Sequence, residues 1–467
     1  MKKDNYKFVH GKYVLTVNQN DDFINDGLVV IKNDRIEAVG SYDELISKYK
    51  KIEGEWLEYE DGLVMPGLVT NHAHLYQALM KGVGSNLCLD DWVIKIIYPM
   101  ALAMGKNDFY NVTRFNILEM ISTGTTCFCD SMYHQHNLDN MDGVAKAVKD
   151  MKMRGIIVRA LQNLNFDERI PDAAAESNFE ITERESRRVI EQYHNTENGR
   201  LRVGLEALSP FDCSKDAIKK LYKIAEECDV RFQMHVAESI SEKMRIRSEH
   251  NMGIIEYLDT LGILNDRTLL IHCIWVTSDE VKLIAKRGAK VSHNPVSNMI
   301  LADGICRVPE MLANGINVGL GVDGAASNNS QDMFETMKSF VLLHRVNELD
   351  ASVFTPYDAI KLATIESART IGWDDEIGSL EPGKKADMIV VKTNSCFVGP
   401  TIDVVTNIIF SGNGRDVDTT IIDGNVLMKN RKFTEFDPED IFEKGNSSAH
   451  RIAEECNIME IVNEIMN

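Results

Sequence analysis

The sequence lacks an apolar run that is long enough to cross a membrane. No stretch reaches the roughly 18 consecutive apolar residues that a transmembrane helix needs. The amino-terminal residues also run into Gly11 without the apolar segment of a signal peptide. These absences argue against a helical membrane protein, and we expect the protein to reside in the cytoplasm.

The sequence also has fewer basic residues than acidic ones. The chain has 51 Lys and Arg residues against 71 Asp and Glu residues, which gives a formal net charge of −20 at pH 7. A field of this sign repels the phosphates of nucleic acid and of an anionic membrane surface. The sequence therefore argues against both partners and favours a small neutral or cationic substrate.

The nine cysteines include no Cys-x-x-Cys pair, so neither a disulfide framework nor a zinc ribbon is expected. Cys127 and Cys129 lie two residues apart in an apolar run, and we interpret them as packed side chains rather than metal ligands. The absence of a Pro-Cys-x-x-Cys pattern also excludes the zinc site of the cytidine deaminases.

What the sequence does contain is an alternation of strand and helix signals. From Leu63 onward, short apolar runs alternate with amphipathic segments of helical length. The pattern predicts a parallel (β/α)8 TIM barrel of the α/β class, with a doubly wound open sheet as the alternative. The predicted strands are Leu63–Asn71, Thr126–Asp130, Ile156–Leu161, Val203–Leu208, Phe232–His235, Thr268–His272, Lys290–Ser292 and Ile316–Leu320.

Two β-rich segments flank the predicted barrel. The first covers residues 1–62, and the second begins at residue 378 and includes a hairpin signal at Asp423-Gly424. We expect these segments to join in one small β-sandwich, with the barrel of residues 63–377 inserted between them. The remainder of residues 378–467, from Asp437, is predicted to be helical.

Polar residues at the ends of the apolar runs are the candidate functional residues, because a (β/α)8 barrel carries its chemistry at the carboxyl ends of its strands. His72 and His74 end the first run, His235 and His272 end two middle runs, and Asp323 follows the last. His72 and His74 point to the same side of an extended chain. With His235 and Asp323 they predict a site for one metal ion, with zinc as the first choice and iron as the second.

The same region offers an acid–base group and further histidines. Glu238, three residues after His235, is placed to take a proton from a water that the metal activates. His272 is either a further ligand or an imidazole that orients the water and the substrate. No lysine ends the fourth strand, so a carbamylated-lysine bridge between two metals is not expected.

Three other histidines have two interpretations each. His293 precedes Asn-Pro, which suits a metal ligand or a rigid turn. His134 and His136 repeat the His-x-His spacing beyond a strand end, in a segment that either contacts substrate or forms a plain solvated loop. For all three we favour the structural interpretation.

With these residues in place, the chain resembles the amidohydrolase superfamily along nearly its whole length. Within it, the chain is similar to the branch of cyclic-amine deaminases and triazine hydrolases that includes 5′-methylthioadenosine/S-adenosylhomocysteine deaminases. The motifs that carry the resemblance are Val64–His74, Leu79–Gly84, His235–Glu238, Ile271–Cys273, Val291–Asn298, Gly321–Asn329 and Gly378–Asp387.

The resemblance implies a role for each motif residue. His72, His74, His235 and Asp323 are the implied metal ligands, and Glu238 is the implied proton shuttle. His272 is implied to hydrogen-bond the attacking water or the substrate instead of binding the metal. Asp323 also takes part in catalysis, and Ser327 is the implied substrate-contacting serine. The family further suggests a homodimer.

The implied activity is hydrolytic deamination of a heterocyclic amine, a purine, pterin, pyrimidine or triazine ring. Ala101 and Leu208 replace a ribose-binding Glu and a base-contacting His of the nucleoside deaminases, which places an adenosine-type substrate in doubt. The alternatives are such a nucleoside deaminase, a triazine-type hydrolase that displaces alkylamine or halide, and an inactive metal-binding scaffold. The residues that we predict in the substrate pocket are Trp92, Gln162, Glu206, Leu208 and Ser327.

Overall fold

The computed structural model describes residues 4–466 and contains strands in two sheets. The strands are β1 (Tyr6–Leu15), β2 (Phe23–Lys32), β3 (Arg35–Ser41), β4 (Glu55–Pro66), β5 (Leu68–His74), β6 (Thr125–Asp130), β7 (Arg154–Leu161), β8 (Leu201–Ala207), β9 (Phe232–Val236), β10 (Thr268–His272), β11 (Lys290–His293), β12 (Val318–Leu320), β13 (Asp323–Gly324), β14 (Met388–Lys392), β15 (Val417–Ile422), β16 (Asn425–Lys429) and β17 (Lys432–Phe433).

Helices follow most of these strands. They are α1 (Tyr42–Tyr49), α2 (Leu89–Trp92), α3 (Tyr98–Leu102), α4 (Lys106–Ser122), α5 (Asn140–Asp150), α6 (Phe179–Tyr193), α7 (Lys215–Glu227), α8 (Ile240–His250), α9 (Ile254–Leu261), α10 (Ser278–Arg287), α11 (Pro295–Ile300), α12 (Val308–Ala313), α13 (Met333–Glu348), α14 (Pro356–Leu362), α15 (Ile365–Thr370), α16 (Val404–Phe410), α17 (Pro438–Glu455) and α18 (Ile458–Met466). None of the helices in the described part of the chain is long and apolar enough to span a membrane.

Helix α10 shows how local sequence sets the bounds of a helix. Thr277 Oγ1 accepts a hydrogen bond from the backbone N–H of Glu280 (3.3 Å), and Glu280 Oε2 accepts one from the N–H of Thr277 (2.8 Å). This reciprocal pair satisfies two N–H groups that the first helical turn leaves without partners. At the other end Gly288 takes a left-handed conformation (φ 78°) that stops the helix.

The terminal sheet joins the two ends of the chain, as predicted. Its order is β17-β16-β15-β14-β4-β1-β2-β3, with β14 antiparallel to β4 and β1 parallel to β4. The two segments form this one eight-stranded sheet. Side chains that alternate along β2 belong to two different apolar clusters, Val29 and Ile31 to one, Leu28 and Val30 to the other. Both faces of the strand are therefore buried.

The second sheet is the barrel, which confirms the predicted fold class. Its order is β12-β11-β10-β9-β8-β7-β6-β5-β13. Strands β12 and β13 are two short pieces of one eighth strand, separated by Gly321 and Val322. Strand β12 pairs in parallel with β11, and β13 pairs in parallel with β5. These two pairings bring the last strand back to the first, which an open doubly wound sheet would not do.

The predicted strand Leu63–Asn71 is in fact two strands. Strand β4 ends at Pro66 in the terminal sheet, and β5 begins at Leu68 in the barrel. Proline donates no backbone hydrogen bond, and Gly67 packs so tightly that an added Cβ would lie 2.1 Å from Thr126 Oγ1. The Pro-Gly pair therefore marks the passage from one sheet to the other. All seven residues of β5 are buried, and the strand runs on to His74.

The chain forms two compact units. One comprises the chain up to Thr70, Glu119–Cys127 and Asp332–Asp437. The other comprises Asn71–Leu118, Phe128–Gln331 and the chain from Pro438. All the candidate site residues belong to the second unit, so the site is described within that unit alone.

Candidate active site and metal centre

The pairing of the last barrel strand with the first assembles the centre of the site. In the register between β13 and β5, Asp323 lies opposite Ala73 and Gly324 opposite His74. Asp323 Oδ1 is 3.4 Å from Nε2 of His72 and 3.4 Å from Nε2 of His74. The same carboxylate oxygen of Asp323 therefore lies close to His72 and His74, which are about 250 positions away in the sequence. The carboxylate and both imidazoles face one point.

His235 of β9 completes this cluster. Its ring centre is 4.9 Å from that of His72 and 5.4 Å from that of His74. The ligand atoms of His72, His74 and Asp323 lie within 4.8 Å of one another, as do those of His72, His235 and His272. All of these side chains are buried. Three imidazoles and one carboxylate at this spacing form a donor set of the kind that holds a divalent metal ion.

Neighbouring groups orient two of these imidazoles. Nδ1 of His74 is 2.8 Å from the carbonyl oxygen of Ser131, and Nδ1 of His235 is 2.8 Å from Glu206 Oε1. Both partners only accept, so each Nδ1 carries the donated proton. The lone pair is then on Nε2 and is available to a metal ion, as in other protein metal sites.

Burial and charge set the ionisation of the ligands. Burial lowers the pKa of His72, and burial together with the nearby His72 lowers the pKa of His74 to about 3. Burial opposes ionisation of Asp323, yet the hydrogen bond and charge of His72 hold the pKa of Asp323 well below its usual value. For His235, burial is outweighed by Glu206, so its pKa is raised. The neutral imidazoles of His72 and His74 beside the carboxylate of Asp323 fit the metal-binding form of the site.

His272 has the opposite tautomer. Its Nδ1 lies 2.9 Å from the amide nitrogen of Asn298 and 3.3 Å from that of Asn294, and both amides donate. The ring proton is therefore on Nε2, which is 3.4 Å from Glu238 Oε1 and 3.9 Å from Asp323 Oδ2. A nitrogen that carries a proton donates a hydrogen bond and offers no lone pair to a metal. This geometry favours the orienting role of His272 over the ligand role.

Glu238 lies just beyond β9 and faces the same point. Burial, together with the carboxylates of Asp303 and Asp323, raises the pKa of Glu238 well above its usual value. The backbone is also constrained here, because Ala237, His272 and Asp323 all have positive φ angles (53°, 73° and 61°), which non-glycine residues rarely adopt. A carboxyl group that readily holds a proton at such a point is suited to proton transfer.

A cavity of about 320 Å³ opens from the cluster. Five residues of the cluster and its surroundings line it, His74, His235, Glu238, His272 and Asp323. Of the predicted pocket residues, Trp92, Leu208 and Ser327 line this cavity. The volume is in the range of small-molecule sites.

Gln162 and Glu206, which we predicted in the substrate pocket, do not line the cavity. Gln162 Oε1 accepts a hydrogen bond from the hydroxyl of Tyr98 (2.9 Å), and Tyr98 is the residue that reaches the cavity. Glu206 is fully buried, with its two carboxylate oxygens directed to His235 and Gln233. Each side chain has a hydrogen-bond partner inside the protein, and its contact with a substrate stays a prediction.

Several cavity residues were missed by sequence reasoning. Asp212, Glu242 and Arg245 come from the segments that follow β8 and β9, and Asp90 and Asp167 from two other loops or short helices. The only available signal was position, because loops at the carboxyl ends of barrel strands form the active sites of this architecture. Charge alone does not single out such residues from other surface carboxylates.

The remaining candidate histidines stay apart from the cluster. Among the described residues, none of the groups that could hold a metal contains His134, His136 or His293. His134 lies in a loop but is buried, so that part of the loop is not solvated as we expected. His293 ends β11 and is followed by Asn294 and the proline that begins α11.

Comparison with known proteins identifies the family. The Amidohydrolase family matches residues 63–427. The chain is a member of the amidohydrolase family. The matched range contains all the candidate ligands, the candidate proton-transfer residue Glu238 and His272, and the resemblance predicted from the motifs is thereby confirmed.

Individual amidohydrolase relatives match along most of their length. A 5′-deoxyadenosine deaminase of Methanobrevibacter smithii is 34% identical over 430 residues, which are 92% of this chain and 94% of that protein. A 5-methylthioadenosine/S-adenosylhomocysteine deaminase of Syntrophomonas wolfei is 31% identical over 443 residues, 94% of this chain and 97% of that protein. The crystal structure of a zinc-bound adenosine deaminase from Xanthomonas campestris superposes with a TM-score of 0.88 at 25% identity, covering 96% and 98% of the two chains.

Proposed function

We propose that this amidohydrolase is a mononuclear metal-dependent enzyme that deaminates a heterocyclic aromatic amine. The observation that carries the proposal is the convergence of His72, His74, His235 and Asp323, the last three of which line a cavity of about 320 Å³. Glu238 and His272 face the same point. A purine, pterin, pyrimidine or triazine ring is small enough for a cavity of this size.

The four proposed ligands suit zinc, with iron as the second choice. Imidazole and carboxylate donors together are typical of both ions. When bound, the ion supplies Lewis-acid chemistry, because it lowers the pKa of a water that it holds to about 7.

The side chains of the site move the protons of the reaction. Glu238 accepts the proton that the attacking water loses and delivers it to the ring nitrogen beside the reacting carbon. His272 donates a hydrogen bond from Nε2 to the oxygen that adds to that carbon. The new C–O bond remains, the C–N bond breaks, and ammonia leaves with the second proton of the water. The products are the oxo form of the ring and ammonia.

The charges of the cavity narrow the substrate class. Four further acidic side chains line the cavity, Asp90, Asp167, Asp212 and Glu242. Asp167 is paired with Arg169 (2.9 Å), and burial raises the pKa of Glu242 to about 8, so the negative charge rests mainly on Asp90 and Asp212. The cation there, Arg245, donates from Nε to Glu249 (2.9 Å) and therefore already has a counter-charge. Phosphate groups would meet repulsion in such a cavity. We therefore expect uncharged or cationic rings as substrates and no phosphorylated ones.

An adenosine-type nucleoside is the second candidate within this class. It is supported by the names of the two relatives, a 5′-deoxyadenosine deaminase and a 5-methylthioadenosine/S-adenosylhomocysteine deaminase. Two residues argue against a nucleoside substrate, because both are apolar at positions where nucleoside deaminases are expected to present polar contacts. Leu208 lines the cavity, and Ala101 is buried and does not line the cavity. A nucleoside would have to use other polar groups of the cavity.

The decisive variant is Glu238→Gln, which removes the proton-transfer group and keeps the size of the side chain. We expect kcat to fall by about 1,000-fold, with about one metal ion per chain retained because Glu238 is not among the proposed ligands. The measurements are ammonia release and elemental analysis of the full-length protein. Glu226→Gln, an exposed site on α7, is the control. Full activity of the Glu238 variant would contradict the mechanism.

The substrate is found by measuring ammonia release from purines, pterins, pyrimidines, triazines and adenosine-type nucleosides with the metal-loaded protein. Each nucleoside is paired with its 5′-monophosphate, which tests the expected rejection of phosphate. Two tightly bound ions per chain would contradict the mononuclear site. A metal-loaded protein that releases no leaving group from any of these rings would favour the inactive scaffold.

A further inference from the structure

Glu206 is the most deeply enclosed carboxylate near the proposed metal ligands. It lies near the end of β8, one strand away from His235 in β9, and its exposed fraction is 0%. A buried carboxylate requires partners for both oxygens, since an unpaired charge inside a protein is strongly destabilising. Its partners therefore show what the side chain is placed to do.

Both oxygens of Glu206 have a partner. Oε1 is 2.8 Å from Nδ1 of His235, and Oε2 accepts a hydrogen bond from Nε2 of Gln233 (2.7 Å). The same Gln233 nitrogen also donates to the carbonyl oxygen of Asp130 (3.1 Å). Gln233 and His235 are two apart on one strand and point to the same side. Glu206 thus spans two side chains of β9 and is held by both.

We infer that Glu206 is a positioning residue for the metal centre, which aligns His235 and supplies a fixed negative charge behind it. The hydrogen bond selects the tautomer of His235 that keeps the proton on Nδ1 and presents Nε2 to the ion. The charge makes the imidazole a better electron donor, as a carboxylate behind a histidine ligand does in other metal sites. Of the three proposed histidine ligands, His74 has a neutral carbonyl in this position, while His235 has a carboxylate.

The isosteric variant Glu206→Gln separates charge from shape. The amide oxygen can still accept the proton of His235 Nδ1, but the negative charge is gone. We expect the affinity for zinc to fall by about 10-fold in this variant and by about 100-fold in Glu206→Leu, which removes the acceptor as well. If the leucine variant does not fold, the glutamine variant alone decides the question.

The readout is metal binding of the full-length protein, independent of whether its substrate is known. Zinc affinity is measured by competition with a chelator, and the cobalt-substituted protein is compared by its visible absorption bands, which respond to ligand alignment. Glu226→Gln serves as the control with unchanged charge near the metal. Weakened zinc affinity with shifted cobalt bands would support the inference.

Unchanged zinc affinity and unchanged cobalt bands in Glu206→Gln would overturn it. With an active substrate in hand, the same variant at saturating metal should lower kcat more than it raises KM. An effect on KM alone, with normal metal binding, would overturn the positioning role and support the substrate contact that we predicted for Glu206 from the sequence. Failure of the deaminase proposal would leave the metal-binding test unaffected.

Discussion

The chain contains two His-x-His pairs with the same spacing and different surroundings. His72 and His74 lie in β5, and each has its Nε2 atom 3.4 Å from Asp323. His134 and His136 lie in the loop after β6. The ring of His134 packs against Tyr133 (centres 4.2 Å apart) and Tyr76 (4.8 Å), and His136 Nε2 lies 2.9 Å from the carbonyl oxygen of Met104.

The comparison teaches that spacing alone does not make a metal site. A strand holds residues two apart on one side, and in β5 that side faces a carboxylate from another strand. The loop gives no such constraint, and the two rings of the second pair have separate neighbours. Burial does not identify a ligand either, since His134 is as buried as His74, although His136 is only partly buried. The feature that distinguishes the first pair is its carboxylate partner, Asp323.

The largest expected effect is the loss of zinc affinity when one histidine of the first pair is removed. His74→Ala removes one of the four proposed donors and leaves the other three in place. We expect zinc affinity to fall by more than about 100-fold, beyond the effect of altering a group behind a ligand. Chelator competition on the full-length protein measures this. His136→Ala is the matched control and should bind zinc normally; equal losses in both variants would remove the distinction between the pairs.

A smaller effect is expected in the second pair. Neither ring nitrogen of His134 has a hydrogen-bond partner among the described residues, and burial lowers the pKa of His134 well below its usual value. A buried polar atom without a partner is destabilising. His134→Phe should therefore increase the free energy of unfolding by about 1 kcal/mol, measured by urea titration, with zinc affinity unchanged. A loss of zinc binding would show that His134 belongs to the site.

The smallest effect concerns His10, a histidine between two surface carboxylates. Its Nδ1 is 2.6 Å from Glu58 and its Nε2 is 2.8 Å from Asp26. Burial alone would lower the pKa of His10, but the hydrogen bonds of Asp26 and Glu58 outweigh it and raise the pKa. The folded protein therefore binds this proton more tightly than the unfolded chain.

A raised pKa stabilises the fold below the unfolded value and loses this contribution as the pH rises through the folded value. We expect His10→Gln to lower the free energy of unfolding by about 0.5 kcal/mol at pH 5.5, since solvent screens such pairs, and to have almost no effect at pH 9. Urea titrations at the two pH values test this. An equal loss at both would mean that packing against Tyr42, whose ring centre is 4.4 Å away, dominates.

Much of the fold was predictable because its signals are local. The alternation of apolar runs and amphipathic segments indicated the barrel, and the capping residues of α10 set its bounds at Ser278 and Arg287. We predicted one strand across Pro66-Gly67, where the structure has two, although proline and glycine commonly interrupt strands. A change of sheet depends on which distant strand each half pairs with, and strand pairing is not encoded in the local pattern.

The site was predictable to the extent that strand ends converge. His72, His74, His235, His272 and Asp323 were all selected by that rule. The rule does not decide whether Glu206 and Gln162 contact a substrate, because a residue near a strand end faces either the cavity or the interior of the barrel. Which of the two it faces depends on partners such as His235 and Tyr98, which come from other strands and helices.

The sequence by itself determined the residue types and their periodicity, and thus the barrel, the donor set of imidazoles and carboxylate, and Glu238 beside them. Tertiary structure alone decided the pairing of β13 with β5, which brings Asp323 to His72 and His74, and the contact of Glu206 with His235. The physical reason is the distance along the chain over which each kind of interaction acts. Propensity and capping act over a few residues, whereas a metal centre requires side chains from distant strands to meet within a few ångströms.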